Sequence, residues 1–248
     1  MLAGPPPPEV YQNISIANQL PSMLRLSPPK KFAEVGWLFS DQIINHDLLG
    51  YQQIIALMYE NGIIELLQEM LSKSGVVKII EIGGGYGALA YYLMKILNFE
   101  VSCSLVDIPE SLAFSSIYCG CLDMGIPVKM VLEGSDFCIN SDPSLTLIPN
   151  VFLDKLNKVD GPVDLCINTL SLAEMSPAQV EYYCNFISGS MGSTGLFFEQ
   201  NRQVNELKLE LTFPRYFKRL RKCNTALFPG FKELRGEANI WVNSSWRK

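Results

Sequence analysis

The residues best suited to chemistry lie at one junction of predicted elements. Glu81 is followed by a glycine cluster, residues 83–87, between a β-branched run typical of a buried strand and an apolar pattern typical of a helix. Glycines allow positive φ and a close approach of the main chain to a ligand, and the helix start beyond them offers unpaired N–H groups. The junction therefore predicts a ligand-binding corner.

A carboxylate is expected beside this corner. The next predicted strand, residues 101–106, ends in Asp107, about twenty positions past Gly87. Strand, helix and second strand make a βαβ half-unit, in which an acid at this place binds ribose hydroxyls. We therefore expect Asp107 to contact a ribose.

Two cofactor classes use such a corner. Gly83-x-Gly85-x-x-Ala88 fits the dinucleotide fingerprint, whereas Glu81-x-Gly83-x-Gly85-x-Gly87 fits the acid-x-Gly-x-Gly-x-Gly pattern of S-adenosylmethionine sites. A carboxylate at the end of the first strand favours the cationic methionine end of S-adenosylmethionine, but it would repel a pyrophosphate. The acid favours S-adenosylmethionine, with a dinucleotide site or a glycine turn without a ligand as alternatives.

A second polar stretch is expected at the same edge of the sheet. Residues 163–169 are typical of a strand, and Ser176-Pro177 is typical of a helix start. Asn168, Ser171 and Glu174 lie between them, and ligands bind outside the carboxyl ends of the strands in open α/β sheets. The stretch predicts contacts to a substrate, with a purely structural role as the alternative. Asp136, after a third predicted strand at residues 128–132, is a candidate adenine contact or a turn cap.

Composition limits the class of protein. The chain has 248 residues, of which 48% are hydrophobic and 18% charged, as in a globular protein. We see no apolar run of roughly 18 residues and no basic leader with an apolar core, so we expect a soluble, cytoplasmic protein without a membrane span. The 7 cysteines are an odd number and are expected to be free thiols. No ligand cluster predicts a metal site.

Charge argues against nucleic acid as a partner. Lys and Arg outnumber Asp and Glu in residues 202–248, whereas acids prevail in residues 1–201, and the net charge is −5. An acidic body repels phosphate backbones, and no basic-aromatic recognition motif is present. The basic segment is either a solvated surface or a contact for an anionic acceptor such as an acidic or nucleotide-linked sugar.

The motifs together resemble the sugar O-methyltransferase family. The resemblance covers roughly residues 40–205 in separate blocks, which are Glu81–Ala90, Val106–Glu110, Leu147–Pro149, Ile167–Met175 and Asn201-Arg202. It implies a Rossmann-like class I methyltransferase sheet, mostly parallel with helices on both faces, and an N-terminal helical cap. It also implies S-adenosylmethionine as cofactor and a sugar hydroxyl as acceptor. An NAD(P)-dependent sugar dehydrogenase or epimerase and a non-catalytic module of the same fold stay open.

The expected organisation has three parts: a flexible Pro-rich lead over residues 1–30, an N-terminal helical segment over 31–74 and the S-adenosylmethionine-binding domain over 75–248. Four prolines at positions 5–8 disfavour a helix in the lead. The acceptor is expected to be a small molecule or a glycan. The sequence contains no indication of how many subunits assemble.

Each candidate site residue has an expected role in methyl transfer. Sugar hydroxyls are weak acids, so their methylation calls for a general base, for which Glu174 is the first candidate and the single histidine, His46, the second. The cofactor-binding residues would be Glu81, Gly83, Gly85, Tyr86, Gly87, Asp107, Ile108 and Asp136, with the Tyr86 ring facing the sulfonium. The acceptor would be oriented by Asn168, Ser171, Asn201 and Arg202.

Overall fold

A computed structural model describes residues 5–32, 35–39, 41–132, 137–139, 142–159, 161–202, 209–224 and 235–244, except for the side chains of residues 9, 137, 138 and 157–159. The helices are α1 Pro8–Ala17, α2 His46–Glu60, α3 Ile63–Ser74, α4 Ala88–Ile96, α5 Pro109–Cys121, α6 Pro177–Ser190 and α7 Leu209–Thr212. The strands are β1 Trp37–Phe39, β2 Gln42–Ile44, β3 Val77–Ile82, β4 Val101–Asp107, β5 Val128–Met130, β6 Phe137–Ile139, β7 Ser144–Pro149, β8 Leu156–Val159, β9 Val163–Thr169, β10 Met191–Asn201, β11 Phe217–Lys222 and β12 Glu237–Asn243.

An eight-stranded sheet forms the centre of the molecule. Its order is β11-β12-β10-β9-β3-β4-β7-β5. The pairs from β10 to β5 are parallel, and β12 lies antiparallel between β10 and β11. This order, with one reversed strand inserted near the edge, is that of class I methyltransferases, so the predicted fold class is confirmed. Two short pairs, antiparallel β1–β2 and parallel β6–β8, lie outside this sheet.

Both faces of the sheet are covered. Alternate residues of β3 belong to two separate cores: Ile79 packs in one with residues of α2, α3 and α4, and Ile80 in the other with residues of α6. Alternation places successive side chains on opposite faces of a strand, and burial on both faces is characteristic of parallel sheets. The apolar β-branched composition of β3 reflects this double burial.

Local signals set the element ends that shape the ligand edge. Strand β3 stops where Gly83 adopts φ +73°, and α4 starts after Gly87, at φ +86°. Helix α6 begins with a capping box, in which Ser176 accepts from the Gln179 N–H and the Gln179 side chain accepts from the Ser176 N–H. These starts and stops agree with the sequence signals.

Two features differ from the sequence expectations. Helix α1 begins at Pro8 despite the proline run, because proline at the first helical position loses no intrahelical hydrogen bond. The third strand was expected at residues 128–132, but it is an edge strand, and β7 lies between it and β4. Among the described residues, no helix has the length and apolarity to cross a membrane.

Candidate functional site

The glycine cluster forms a turn with an open side. The Gly83 N–H donates to the Val106 carbonyl at 2.7 Å, which ties the end of β3 to β4. A Cβ on Gly83 would lie 2.0 Å from Ser171 Oγ, whereas a Cβ on Gly85, at φ +56°, would meet no heavy atom within 4 Å. Gly83 is therefore required for packing, and Gly85 presents bare backbone to open space.

Asp107 fixes the turn from the neighbouring strand. Its Oδ2 accepts from the Gly85 N–H at 2.8 Å and its Oδ1 from the Ile108 N–H at 2.7 Å. Desolvation raises the pKa of this carboxyl above its usual value, while hydrogen bonds from the two backbone N–H groups and from the Ser111 side chain act in the opposite direction. A carboxylate has about four acceptor sites, so Asp107 can still accept a hydrogen bond from a ligand hydroxyl.

Glu81 lies beneath the turn and is only 2% exposed. The Ala90 N–H in the first turn of α4 donates to its carboxylate, but Glu81 Oε2 has no hydrogen-bond partner among the described residues. Burial, followed by the charge of Asp107, raises the pKa of Glu81 to about 8. A buried acceptor without a partner favours a ligand that donates a hydrogen bond or carries positive charge.

One cavity brings together six of the predicted site residues, which are Gly83, Gly85, Asp107, Ile108, Ser171 and Glu174. This corner cavity has a volume of about 450 Å³ and lies at the carboxyl ends of β3, β4 and β9. It is lined by Gly83, Gly85, Val106, Asp107, Ile108, Ser111, Asn150, Thr169, Leu170, Ser171, Glu174, Met175, Gln179 and Tyr183. The glycine turn and the second polar stretch thus meet as expected from parallel strands.

A tight turn connects β9 to α6 at the wall of the corner cavity. Leu170 has φ +71°, which is rare outside glycine, and its N–H donates to the Gln200 carbonyl at 2.8 Å. Asn168 Nδ2 donates to the Ile82 carbonyl at 2.9 Å and to Ser171 Oγ at 2.5 Å. The amide of Asn168 is thus directed at the turn and at β3, which holds Ser171 against the glycine turn. The exposed Glu174 lies at the end of this turn.

Asn201 supports the turn from the next strand. It is buried at the end of β10, where its Oδ1 accepts from the Ala173 N–H at 3.3 Å and its Nδ2 donates to Glu199 Oε2 at 3.1 Å. Arg202 is exposed directly after β10 and is close enough to Arg235 to lower the pKa of that guanidinium, after the larger effect of burial. Neither Asn201 nor Arg202 lines the corner cavity.

Tyr86 lies in a different cavity. Its ring contacts Tyr51 of α2 and Tyr118 of α5 edge-on, with centroids 6.0 Å and 5.1 Å away. These three rings line a tyrosine cavity of about 310 Å³, whose other walls are Pro28, Pro29, Phe32, Val35, Asn45, Leu48 and Tyr92. Gly87 packs against Cys119 of α5 and lines neither cavity.

His46, the second candidate base, is also not brought to the corner cavity. His46 occupies the first position of α2, and its ring meets Trp37 of β1 edge-on with centroids 5.0 Å apart. It is not among the residues that line the corner cavity with Glu174. Asp136 lies outside the described residues.

A polar row on three strands is absent from the sequence predictions. Asn168, Glu199 and Asn239 are direct partners across β9, β10 and β12, and all three are buried. The one signal in the sequence is the acid that ends the apolar run Leu196–Phe198. Its partner Asn239 follows forty residues later, so only the sheet register relates the two.

Comparison with solved structures finds chains of similar fold. The PH0226 protein from Pyrococcus horikoshii matches with a TM-score of 0.48 and 13% identity over 75% of this chain and 91% of that chain. A TehB-like SAM-dependent methyltransferase from Corynebacterium glutamicum matches with a TM-score of 0.47 and 13% identity over 79% of this chain and 97% of that chain. Human N-acetylserotonin methyltransferase, solved in complex with SAM, matches with a TM-score of 0.45 and 12% identity over 79% of this chain and 56% of that chain. A scan of family models and a search of curated proteins found no match.

The arrangement of the corner cavity defines the ligand that it fits. Asp107 offers an acceptor for a ligand hydroxyl, Gly85 offers bare backbone, and Glu81, which lies beneath the turn and does not line the cavity, has a buried acceptor without a partner in the described part of the chain. A ligand with a ribose and a positively charged group matches all three. Within the described residues, no group of three or more His, Cys, Asp or Glu side chains is arranged to bind a metal ion.

Proposed function

We propose that this chain is an S-adenosylmethionine-dependent O-methyltransferase that acts on a sugar hydroxyl. The main support for this cofactor is Glu81. Its carboxyl is buried under the glycine turn and has an acceptor atom without a partner in the described part of the chain. A cationic methionine end would favour the ionised form of this carboxyl and satisfy its free atom, whereas a pyrophosphate would disfavour its ionisation.

The chain's residues have separate proposed roles toward the cofactor. Asp107 would bind a ribose hydroxyl with the acceptor site left free by Gly85, Ile108 and Ser111. Ile108, which is 48% exposed and lines the corner cavity, would pack against the adenine. The open side of Gly85 would allow the ligand to approach the backbone. When bound, S-adenosylmethionine supplies a methyl group on a sulfonium.

Proton removal is assigned to Glu174. It is the exposed carboxylate on the wall of the corner cavity, at the end of the turn held by Asn168 and Ser171. A carboxylate there would take the proton that the sugar hydroxyl loses when its oxygen is methylated. His46 packs on Trp37 and does not line the corner cavity, so it ranks second.

The hydrogen bonds of Asn168 and Asn201 indicate a role other than contact with the acceptor. Asn168 and Asn201 use their amides to hold the turn of residues 171–174, so we propose that they position this turn. Arg202, exposed at the carboxyl edge of β10, stays a candidate contact for an anionic part of the acceptor.

Calorimetric titration with S-adenosylhomocysteine, with NAD⁺ and NADP⁺ in parallel, tests the cofactor. Micromolar binding of S-adenosylhomocysteine alone supports the proposal. Binding of a dinucleotide instead would replace it with a dehydrogenase or epimerase, and no binding of any of these would indicate a non-catalytic module. Transfer of tritiated methyl groups from S-adenosylmethionine to neutral, acidic and nucleotide-linked sugars then tests the acceptor.

A further inference from the structure

A second polar cavity lies on the face of β10, β12 and β11. This Glu199 cavity has a volume of about 490 Å³, within the usual range for small-molecule sites. It is lined by Glu199, Asn201, Leu209, Glu210, Phe213, Pro214, Phe217, Lys218, Arg219, Glu237, Asn239, Trp241 and Ser244. None of these residues lines the corner cavity.

Glu199 is held in place by three donors. Its Oε1 accepts from Asn239 Nδ2 at 2.7 Å and from Trp241 Nε1 at 3.2 Å, and its Oε2 accepts from Asn201 Nδ2 at 3.1 Å. Burial is the largest influence on the pKa of this carboxyl and raises it, against the three donors. The carboxyl is preorganised, because each neighbour fixes one of its oxygens.

The cavity wall retains acceptors that lack donors. Asn239 is 8% exposed, and its Oδ1 has no hydrogen-bond partner among the described residues. Glu199 Oε2 accepts one hydrogen bond and has a further lone pair. A buried acceptor without a partner is costly, and a ligand hydroxyl placed there would offset that cost.

The charges around the cavity favour a neutral ligand. Lys218 and Arg219 supply two positive charges, and Arg219 lies over the Trp241 ring at 5.8 Å. Glu199 and Glu210 supply two negative charges, and the third acid of the wall, Glu237, is paired with Lys222 at 2.6 Å. Because the charges of the two signs that are unpaired in the described part of the chain are equal in number, neither an anion nor a cation is favoured. The aromatic residues of the wall are only 2–4% exposed, so a neutral ligand would be held mainly through its hydroxyls.

We infer that the Glu199 cavity binds a neutral hexopyranose unit whose hydroxyls donate to Asn239 Oδ1 and Glu199 Oε2. Asn201 borders this cavity and accepts from Ala173, which lies in the turn that carries Ser171 and Glu174. The two cavities are therefore neighbours across one turn. This inference rests on the proposed function. The hexopyranose unit would be a second, non-reacting part of the acceptor, which would be at least a disaccharide.

Saturation-transfer NMR on the full chain tests the inference. The probes are the methyl glycosides of glucose, galactose and mannose. The variants are Asn239→Ala, which removes the free acceptor and one donor to Glu199, and Ser244→Trp, which fills the rim of the cavity. Asn61→Ala, which removes an amide at the end of α2, is the control. Titration with S-adenosylhomocysteine is run on every variant.

We expect saturation transfer to at least one glycoside in the wild type and in Asn61→Ala. The loss of one hydrogen bond in Asn239→Ala is expected to weaken binding about tenfold, and Ser244→Trp is expected to abolish it, with binding of S-adenosylhomocysteine unchanged. Absence of transfer to all three glycosides in the wild type, or transfer unchanged in Ser244→Trp, overturns the inference. Glycoside binding without S-adenosylhomocysteine binding would instead remove the proposed methyltransferase activity and leave the sugar site in place.

Discussion

Asp107 Oδ2 accepts a hydrogen bond of 2.8 Å from the Gly85 N–H, so the acid at the end of β4 holds the glycine turn at the end of β3. The same carboxylate therefore shapes the turn and faces the corner cavity. Because one residue serves both purposes, changes on either side of this hydrogen bond should affect ligand binding together with local stability.

Asp107→Asn should reduce both ligand binding and stability. An amide has one acceptor oxygen, so its NH₂ group would face the N–H of either Gly85 or Ile108. We expect a loss of about 1–3 kcal/mol in the free energy of unfolding and weaker binding of S-adenosylhomocysteine. Urea denaturation and calorimetry measure the two effects, and a variant with wild-type values in both would contradict the role of Asp107.

Gly85→Ala should weaken cofactor binding, because its Cβ would occupy the open side from which the ligand approaches the backbone. At φ +56° alanine is strained by about 1–2 kcal/mol, although its Cβ meets no atom. Gly75→Ala is the matched control, since Gly75 has φ +77° and an equally open site at the end of α3, away from the corner cavity. Both variants should lose similar stability in thermal unfolding, while only Gly85→Ala should bind S-adenosylhomocysteine at least about tenfold more weakly.

Glu81→Gln should change how stability depends on pH. The folded-state pKa of Glu81, about 8, is above the ordinary value of 4.5 for a glutamate. The folded protein therefore holds the proton more tightly than the unfolded chain, and this stabilisation is complete below pH 4.5 and is lost as the pH rises through 8. Glutamine does not titrate. As the pH rises towards 8, the melting temperature of the wild type should fall relative to that of Glu81→Gln. A difference between the two melting temperatures that stays constant with pH would show that Glu81 does not titrate in this range.

Binding of S-adenosylmethionine should release protons near pH 7. With its pKa raised to about 8, Glu81 is mostly protonated at that pH in the free protein, and a cationic ligand favours the ionised form. Calorimetry in buffers of different ionisation enthalpy measures the number of protons released. We expect up to one proton in the wild type and a smaller number in Glu81→Gln, whereas equal numbers would exclude Glu81 as the source.

Glu174→Gln should lower methyl transfer without loss of cofactor binding. General bases contribute about 10²–10⁴-fold to turnover, and Glu174 is an exposed residue outside the glycine turn. Glu65→Gln, at an exposed position of α3, provides the control. The readout is the initial rate of tritium transfer to the sugar that emerges from the acceptor screen. A rate equal to that of Glu65→Gln would remove Glu174 from the role of base.

The sequence is sufficient to predict the corner but not its surroundings. The glycine turn and Asp107 belong to one βαβ unit, in which Asp107 ends the strand that follows the turn and its helix. The position of His46 depends on how α2 docks, which periodicity does not describe. Strand β7 is a short run of six residues that ends in proline, and such runs do not reveal their place in a sheet. The relation of Glu199 to Asn239 exists only through the register of β10 and β12.

The hydrogen bond between Glu81 and Ala90 has a further consequence. Gly87, the cap of α4, has no side chain to satisfy the first N–H groups of the helix, and Glu81 supplies an acceptor from the preceding strand. The exchange of the Ala90 amide with deuterated solvent therefore depends on the state of a carboxyl that no solvent reaches directly. This single amide would report, in an NMR spectrum of the intact chain, whether the corner is empty or filled.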